Sequence, residues 1–199
     1  MKMIDIVIPS NNEEEFIAMA YRLGYKELCF LYELDDYANK KKELEKIQKI
    51  KIYTGVLANS KNINKIRNKL GKAFVAVKSQ DSNREIIEKS KADMIFSLED
   101  SLKRDFIHQR ASGLNHILCR SAKENKIIIG FSLSLILNSQ NKFSVLGRMA
   151  QNIRLCKKFK VQTAIASFAQ KPLDMRSAHD MISLFELLGL ENPEFVKFD

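Results

Sequence analysis

The sequence predicts an α/β protein with a parallel sheet, and three features indicate that class. Short apolar stretches alternate with longer amphipathic stretches along most of the 199 residues. The short stretches are rich in β-branched residues, which favours strands, whereas the longer ones have apolar residues at helical spacing. Strands that are separated by helices of roughly 10 to 15 residues usually pair in parallel through right-handed crossovers.

The first half of the chain contains five predicted strands: Met3–Ile8, Glu27–Tyr32, Lys51–Leu57, Ala73–Val77 and Asp93–Leu98. Four helices alternate with them. The first is predicted to begin with a capping box of Ser10 and Glu13 and to run to Leu23, where Gly24 ends it. The others are predicted from about Asp35 to Gln48, from Ser60 to Leu70 before Gly71, and after a cap formed by Ser82 with Glu85.

The second half continues the alternation after a longer connection. A helix is predicted over residues 112–125, followed by a strand at Ile127–Phe131 that is buried on both faces. A helix from about Phe143 to Phe159 precedes the seventh strand, Thr163–Ala166. Ser177 and Asp180 cap a last helix, which runs to Leu188 before Gly189.

The predicted helix over 112–125 has two distinct sides. Helical spacing places Leu114, Ile117, Leu118, Ser121 and Ala122 on a side that should face the core. His116, Arg120 and Lys123 stand at i, i+4 and i+7, so they should line up along the outward side. This outward line carries two fixed cations and one imidazole.

The closure of the sheet is predicted from the connection after the first strand and from the strand count. A doubly wound dinucleotide-binding sheet requires a glycine-rich turn there, but the residues are Pro9, Ser10, Asn11 and Asn12. About seven strands without a sign of reversed winding favour an incomplete TIM-type barrel over the alternative, an open sheet. Because no repeat or linker interrupts the pattern, residues 1–199 are expected to form a single domain.

The positive charge lies mainly in the second half. The chain carries a net charge of +9, and residues 103–176 alone contain 14 Lys and Arg against 3 Asp and Glu. An excess of this size favours a polyanionic partner, because neutralised phosphates release counterions. In the first half, the cations Lys40, Lys41 and Lys42 lie in a helix that also holds Glu43 and Glu45, and they are interpreted as a solvated helix face.

Cysteine usage and the absence of long apolar runs indicate the cellular compartment. Cys29, Cys119 and Cys156 are far apart in the sequence and lie in apolar patterns, so we expect buried free thiols in a reducing compartment. No secretory leader and no apolar run of membrane-spanning length is visible. The sequence therefore predicts a soluble cytoplasmic protein without membrane contact.

The residue types needed for catalysis are scarce. Function in such a barrel is located at the carboxyl ends of the strands. A metal-dependent hydrolase needs several converging His and carboxylate ligands there, but the chain has only His108, His116 and His179. No nucleophile, base and acid arrangement can be identified either. We therefore expect no catalytic residues and no metal site in the protein.

Three ordered motifs resemble the ribonuclease P protein component 3 family, and the similarity covers essentially the whole chain. The first is Arg110-x-Ser-Gly-Leu-Asn-His116, which continues to Gly130-Phe-Ser132. The second is Leu146-Gly-Arg-Met-Ala-Gln-Asn-Ile-Arg154. The third runs from Ala166-Ser-Phe-Ala to Met175-Arg-Ser-x-His179-Asp180. The short C-terminus resembles the archaeal members.

This resemblance implies an incomplete TIM-like barrel without metal ligands and a supporting role in a ribonucleoprotein. Family members are subunits of the endoribonuclease that removes 5′ leaders from precursor tRNA, and the RNA performs the chemistry. The implied partners are ribonuclease P RNA, other protein subunits, especially a small α/β Pop-five-type subunit, and indirectly precursor tRNA. No cofactor is expected on the protein, while Mg²⁺ is expected on the RNA.

The residues expected to contact RNA are cations and one imidazole within these motifs: Arg110, His116, Lys123, Arg148, Arg154 and Arg176. Arginine forms bidentate bonds with phosphate, and histidine can also bond a 2′-hydroxyl or a base edge. Asn115 and Asp180 are assigned to loop support.

Each assignment has a structural alternative. Arg148 or Arg176 would instead pair with a carboxylate such as Asp180, Asn115 would cap its helix, and His116 would be partly buried. Lys157, Lys158 and Lys160 would add only diffuse attraction.

Two other functions stay open at this point. A metal-dependent phosphoesterase is disfavoured by the shortage of histidine. A barrel enzyme for a small phosphorylated metabolite would explain basic residues at the rim, but one phosphate needs far less positive charge than this chain carries.

Overall fold

The computed structural model describes residues 3–44, 47, 49–79, 83–89, 91–100, 105, 107 and 110–198. Within them, parallel strands alternate with helices as predicted. The strands are β1 Ile4–Val7, β2 Glu27–Tyr32, β3 Lys51–Ala58, β4 Phe74–Lys78, β5 Met94–Phe96, β6 Ile128–Ser132 and β7 Thr163–Ala166. The helices are α1 Glu13–Arg22, α2 Leu34–Leu44, α3 Ile63–Leu70, α4 Asn83–Lys89, α5 His116–Glu124, α6 Leu133–Asn138, α7 Lys142–Phe159 and α8 Ala178–Leu187, with a 3-10 turn at Pro172–Asp174.

The seven strands form one parallel sheet in sequential order, which curves into a nearly closed barrel with an unsealed seam. At the seam, β1 meets the segment that follows β7. Phe168 donates its N–H to the Ile6 carbonyl, and Ile8 donates to the Ala169 carbonyl, both at 2.8 Å. The prediction of an incomplete barrel is therefore confirmed, and the open-sheet alternative is wrong.

A buried carboxylate occupies this seam. Asp5 Oδ1 accepts hydrogen bonds from the N–H groups of Ser167 at 2.6 Å and Ile6 at 2.9 Å. Asp5 Oδ2 has no partner among the described residues. Burial raises the pKa of Asp5 to about 6, and the hydrogen bonds with Ser167 and Ile6 oppose that rise.

Strand alternation divides the core into an inner and an outer layer. Inward residues such as Ile6, Leu31 and Phe96 fill the barrel, and outward residues pack under the helices. The C-terminal segment covers the amino-terminal end of the barrel, where Phe198 stacks on Tyr53 with ring centroids 4.7 Å apart. The carboxyl ends of the strands remain open.

Several predicted helix starts differ from the structure. Helix α1 has Asn12 at its N-cap without a side-chain bond, and Asn12 instead accepts the Ser10 N–H, so the predicted capping box is wrong. The helix predicted over 112–125 begins only at His116, and Ile117 is 49% exposed rather than in the core. Helix α6, which follows β6 directly, was not predicted.

The remaining element predictions agree to within about three residues, except that α2 ends at Leu44 and not near Gln48. Ser82, Gln48 and His108 lie outside the described residues. The three cysteines are free and buried, as expected. Across the part of the chain that the structure covers, no helix has both the length and the apolar character needed to span a membrane.

Candidate nucleic-acid interface

The start of α5 is defined by a glycine turn and an asparagine cap. Gly113 has φ +74°, and a Cβ there would lie 2.3 Å from the Leu98 carbonyl oxygen, so only glycine fits without a shift. Asn115 Oδ1 then accepts the N–H groups of Ile117 and Leu118, both at 2.9 Å. Asn115 is therefore the N-cap, which confirms the capping alternative for this residue.

The outward line of α5 is present as predicted. Leu118, Cys119 and Ala122 are buried, and the helix packs against α4 and α7. His116, Arg120 and Lys123 are exposed, so the partly buried alternative for His116 is wrong. The Arg120 guanidinium lies 5.7 Å from the centroid of the Phe159 ring at the end of α7, which links the two helices.

Arg148 in α7 fixes the chain between β5 and α5. Its side chain is 7% exposed. Its Nε donates to Asp105 Oδ1 at 2.8 Å, and its Nη1 donates to the Glu99 carbonyl at 3.1 Å. Arg148 therefore pairs with a carboxylate, as the structural alternative predicted, but that carboxylate is Asp105 and not Asp180. RNA contact by Arg148 stays a prediction.

Arg110, in the segment before α5, packs against the surface of α7. Its side chain is about half exposed, with Nη1 3.5 Å from Asp105 Oδ2. A Cβ on Gly147 would come within 2.5 Å of the Arg110 guanidinium carbon, so the guanidinium rests against the bare helix backbone. The side-chain amide of Gln151 bonds the backbone of Arg110. It accepts the Arg110 N–H and donates to the Arg110 carbonyl, each at 3.4 Å.

The buried side chain of Asn152 also holds the segment between β5 and α5. Asn152 donates from Nδ2 to Glu99 Oε1 at 2.7 Å and to the Ser112 carbonyl at 2.8 Å. Gln151 Nε2 donates to Ser112 Oγ at 2.9 Å. Burial raises the pKa of Glu99 to about 7, although the bond from Asn152 and the charge of Arg148 act in the opposite direction.

Asp105 remains ionised at the centre of this arrangement. Partial burial acts to raise its pKa, but the hydrogen bond from the Ala111 N–H and the guanidinium of Arg148 outweigh burial and lower it. Arg110 adds to the lowering. A charged Asp105 can therefore hold both arginines in place at neutral pH.

Arg154 and Arg176 occupy other positions. Arg154 is exposed on α7. Arg176 donates from Nη1 to the carbonyls of Leu173 and Met175, both at 2.7 Å, beside a turn that packs on α1 and α6. Asp180 N–H bonds Ser177 Oγ, which in turn donates to Asp180 Oδ2 at 2.7 Å, so this pair caps α8 as predicted.

The structure thus brings two groups of predicted residues together. Arg110 and Arg148 share Asp105, and His116 and Lys123 lie along α5, which packs on α7. Sequence reasoning missed the residues of α7 that position them: Gly147, Gln151 and Asn152. Their spacing of i, i+4 and i+5 places them on one side of a helix, and that signal was available.

Metal ligands are not assembled in the part of the chain that the structure covers. Within it, no three His, Cys, Asp or Glu side chains stand close enough together to hold an ion. The arrangement of half-exposed cations over a rigid polar base can instead bind phosphate groups.

Comparison with known families and proteins agrees with the motifs. The model of the family described as RNase P subunit p30 matches residues 2–196. Ribonuclease P protein component 3 of Methanosarcina mazei is 26% identical over 194 residues, which covers 93% of this chain and 78% of the relative. The protein of the same name from Methanothermobacter thermautotrophicus is also 26% identical, with 98% and 84% covered.

Two solved structures share the fold. A chain in the cryo-EM structure of archaeal ribonuclease P with mature tRNA superposes with a TM-score of 0.72 at 22% identity, covering 92% of this chain and 82% of that one. Histidinol phosphate phosphatase from Lactococcus lactis, complexed with zinc, L-histidinol and phosphate, superposes with a TM-score of 0.70 at 13% identity. The match covers 100% of this chain and 97% of that one. At these identities the likeness concerns the fold alone.

Proposed function

Because the chain belongs to the RNase P subunit p30 family, we propose that it is a protein subunit of ribonuclease P. In this role it binds and supports the catalytic RNA that removes the 5′ leader from precursor tRNA. The observation that carries the proposal is the match of the family model to residues 2–196. The charge distribution supports it, since the net positive charge is concentrated in the half that contains α5 and α7.

The proposed RNA-binding surface consists of Arg110, His116, Lys123 and Arg154, all exposed on or beside α5 and α7. Arg176 forms a second RNA contact near α8. Arg148 contacts RNA while it keeps its bonds to Asp105 and the Glu99 carbonyl. Recognition is mainly of backbone and shape, because these cations are not interleaved with a series of exposed aromatic rings that bases could stack on.

The proposal includes partners and metal. The protein works with ribonuclease P RNA and other protein subunits, of which we propose a small α/β Pop-five-type subunit as the direct partner. It meets precursor tRNA indirectly. Mg²⁺ is held by the RNA, and the chain itself brings no cofactor. The chain is a single-domain subunit bound to RNA, and the assembly works in the cytoplasm.

A metal-dependent phosphoesterase is the second candidate, favoured only by the shared fold of the histidinol phosphate phosphatase. Its chemistry would need converging ligands, and in the described part of the barrel no three His, Cys, Asp or Glu residues are placed to hold a metal ion together. Fold likeness by itself does not carry over an activity.

The deciding experiment measures cleavage of precursor tRNA by the cognate RNA and its other protein subunits at modest Mg²⁺, with and without this chain. Parallel reactions contain the chain alone with a divalent metal and a generic phosphoester. Cleavage that rises with the chain only when the RNA is present supports the proposal. No effect there, together with chelator-sensitive hydrolysis by the chain alone, would establish the phosphoesterase instead.

A further inference from the structure

A cavity of about 790 Å³ opens at the carboxyl ends of the strands, opposite the end that the C-terminal segment covers. Phe96 and Phe168 lie at its base as a parallel stacked pair with centroids 3.9 Å apart. The loops that surround it follow β5, β6 and β7. This volume is within the usual range of small-molecule sites, which is roughly 300–1,000 Å³.

Two of the six described non-glycine residues with left-handed backbone lie at this cavity. Ser97 and Phe168 have φ +59° and +48°, in the left-handed region that non-glycine residues rarely adopt. Both residues line the cavity. Bulky Phe168 is especially unfavourable in this conformation, so the surrounding structure must hold it there. Such strain accumulates at ligand sites.

Two buried polar atoms in the wall have no hydrogen-bond partner among the described residues. Glu99 is fully buried and lines the cavity, and its Oε2 accepts no hydrogen bond from the described residues. Ser134 Oγ, also in the wall, is in the same situation. Buried polar atoms are almost always paired in native proteins, so both atoms point to a polar ligand.

The charged groups around the opening have both signs. Lys78 and Lys171 supply ammonium groups, and Asp100 and Asp174 supply carboxylates. Lys78 Nζ lies 3.5 Å from Asp100 Oδ2, a long contact between exposed side chains that a ligand can displace. The amides of Asn138 and Gln170 also line the wall. Asn138 Nδ2 donates to Asp174 Oδ2 at 3.2 Å, while the Asn138 amide oxygen and the Gln170 amide can bond a ligand.

From these contacts we propose that the cavity binds one ribonucleotide unit. Lys78 and Lys171 hold its phosphate, Asp100 and Asp174 accept hydrogen bonds from ribose hydroxyls or base amino groups, and the amides meet the base edge. The site goes beyond the RNA-binding surface proposed above and does not depend on it. The nucleotide comes either from solution or from an unpaired position in an RNA strand.

The test titrates the full-length chain, without any RNA subunit, with adenosine 5′-monophosphate in a calorimeter. We expect saturable binding with a Kd below roughly 1 mM. Lys171→Ala should weaken it by about fivefold or more through the lost charge-assisted bond, and Ser144→Phe, which fills the cavity from its wall, should abolish it. Lys142→Ala is the matched control, since this exposed lysine is not among the lining residues.

Separate titrations with adenosine, inorganic phosphate and a single-stranded trinucleotide identify the ligand. Binding of adenosine or phosphate as tight as that of the nucleotide would overturn the proposal, as would no saturation or an equal loss with Lys142→Ala. Tighter binding of the trinucleotide assigns the site to RNA, and tighter binding of the mononucleotide assigns it to a free nucleotide. The RNA-dependent cleavage assay is unaffected by either result, so the two proposals fail separately.

Discussion

At the scale of single residues, the arginines of the proposed surface have two different roles. Arg148 is almost fully enclosed and bonds Asp105 and the Glu99 carbonyl, so it positions the protein chain. Arg110 is half exposed, and its Nη1 lies 3.5 Å from the same Asp105. A carboxylate shared in this way would restrict the Arg110 side chain before the proposed RNA contact forms, which would reduce the entropy lost on binding.

Replacement of Arg110 by alanine should remove one phosphate contact. We expect the slope of log affinity for the cognate RNA against log salt to fall in magnitude by roughly 0.7 to 0.9. Filter binding at several salt concentrations measures it. Lys41→Ala, which changes an exposed cation of α2 in the first half, is the control and should leave the slope as it is. An unchanged slope for Arg110→Ala would exclude it as a contact.

Replacement of Gly147 by alanine should displace Arg110 without unfolding the protein. The new Cβ would collide with the guanidinium, whereas alanine is preferred over glycine inside a helix by about 1 kcal/mol. We expect Gly147→Ala to lose most of the RNA affinity that Arg110→Ala loses, with the same or a higher melting temperature. In the Arg110→Ala background the second change should have no further effect on binding. An additive loss would show that Gly147 acts elsewhere.

At the scale of elements, α7 is the base on which the segment before α5 is held. One side of it carries Gly147, Arg148, Gln151 and Asn152, and each contacts that segment. Helix α5 adds exposed side chains in a line and depends on its own cap. The geometry of the surface thus depends on helix-to-loop bonds as much as on the basic residues themselves.

Loss of the α5 cap should lower stability. Asn115→Ala leaves the N–H groups of Ile117 and Leu118 without their acceptor, and such a loss costs about 1 kcal/mol. Urea denaturation should show a lower free energy of unfolding by that amount. Asn115→Ser retains a capping oxygen and should recover most of it. Equal stability of the alanine variant and the natural protein would contradict the role of this cap.

At the scale of the whole molecule, barrel closure depends on the seam between β1 and the residues after β7. Direct backbone bonds exist at Ile6 and Ile8, and Asp5 supplies the acceptor for Ser167. The raised pKa of Asp5 means that the folded state holds its proton more tightly than the unfolded state does. Stability from this residue is therefore present at low pH and is lost as pH rises from about 4 to about 6.

Replacement of Asp5 by asparagine should remove that pH dependence. The amide oxygen still accepts the two N–H groups, but no buried charge forms at neutral pH. We expect Asp5→Asn to be more stable than the natural protein at pH 7.5, by up to about 3 kcal/mol, and similar to it near pH 4. Glu99, with its own raised pKa, keeps a residual slope up to about pH 7 in both proteins. Parallel slopes from pH 4 to 6 would contradict this account.

The sequence by itself determined the class of fold, the order of seven strands, and most of the helices, because local periodicity and β-branched runs carry that information. It also located the exposed line of His116, Arg120 and Lys123, since helical spacing fixes which residues share a side. The start of α5 was misplaced because Gly113 and Asn115 act through a turn whose close approach to Leu98 is a tertiary contact.

Only the tertiary structure decided the rest, because it depends on residues far apart in the sequence. Arg148 meets Asp105, Asn152 joins Glu99 to Ser112, and Asp5 meets Ser167 across 162 positions. No local pattern encodes which carboxylate an arginine pairs with or how a barrel seam closes. Such pairings follow from the arrangement of packed elements, and they separate the arginine that positions the chain from the arginine that remains available to a partner.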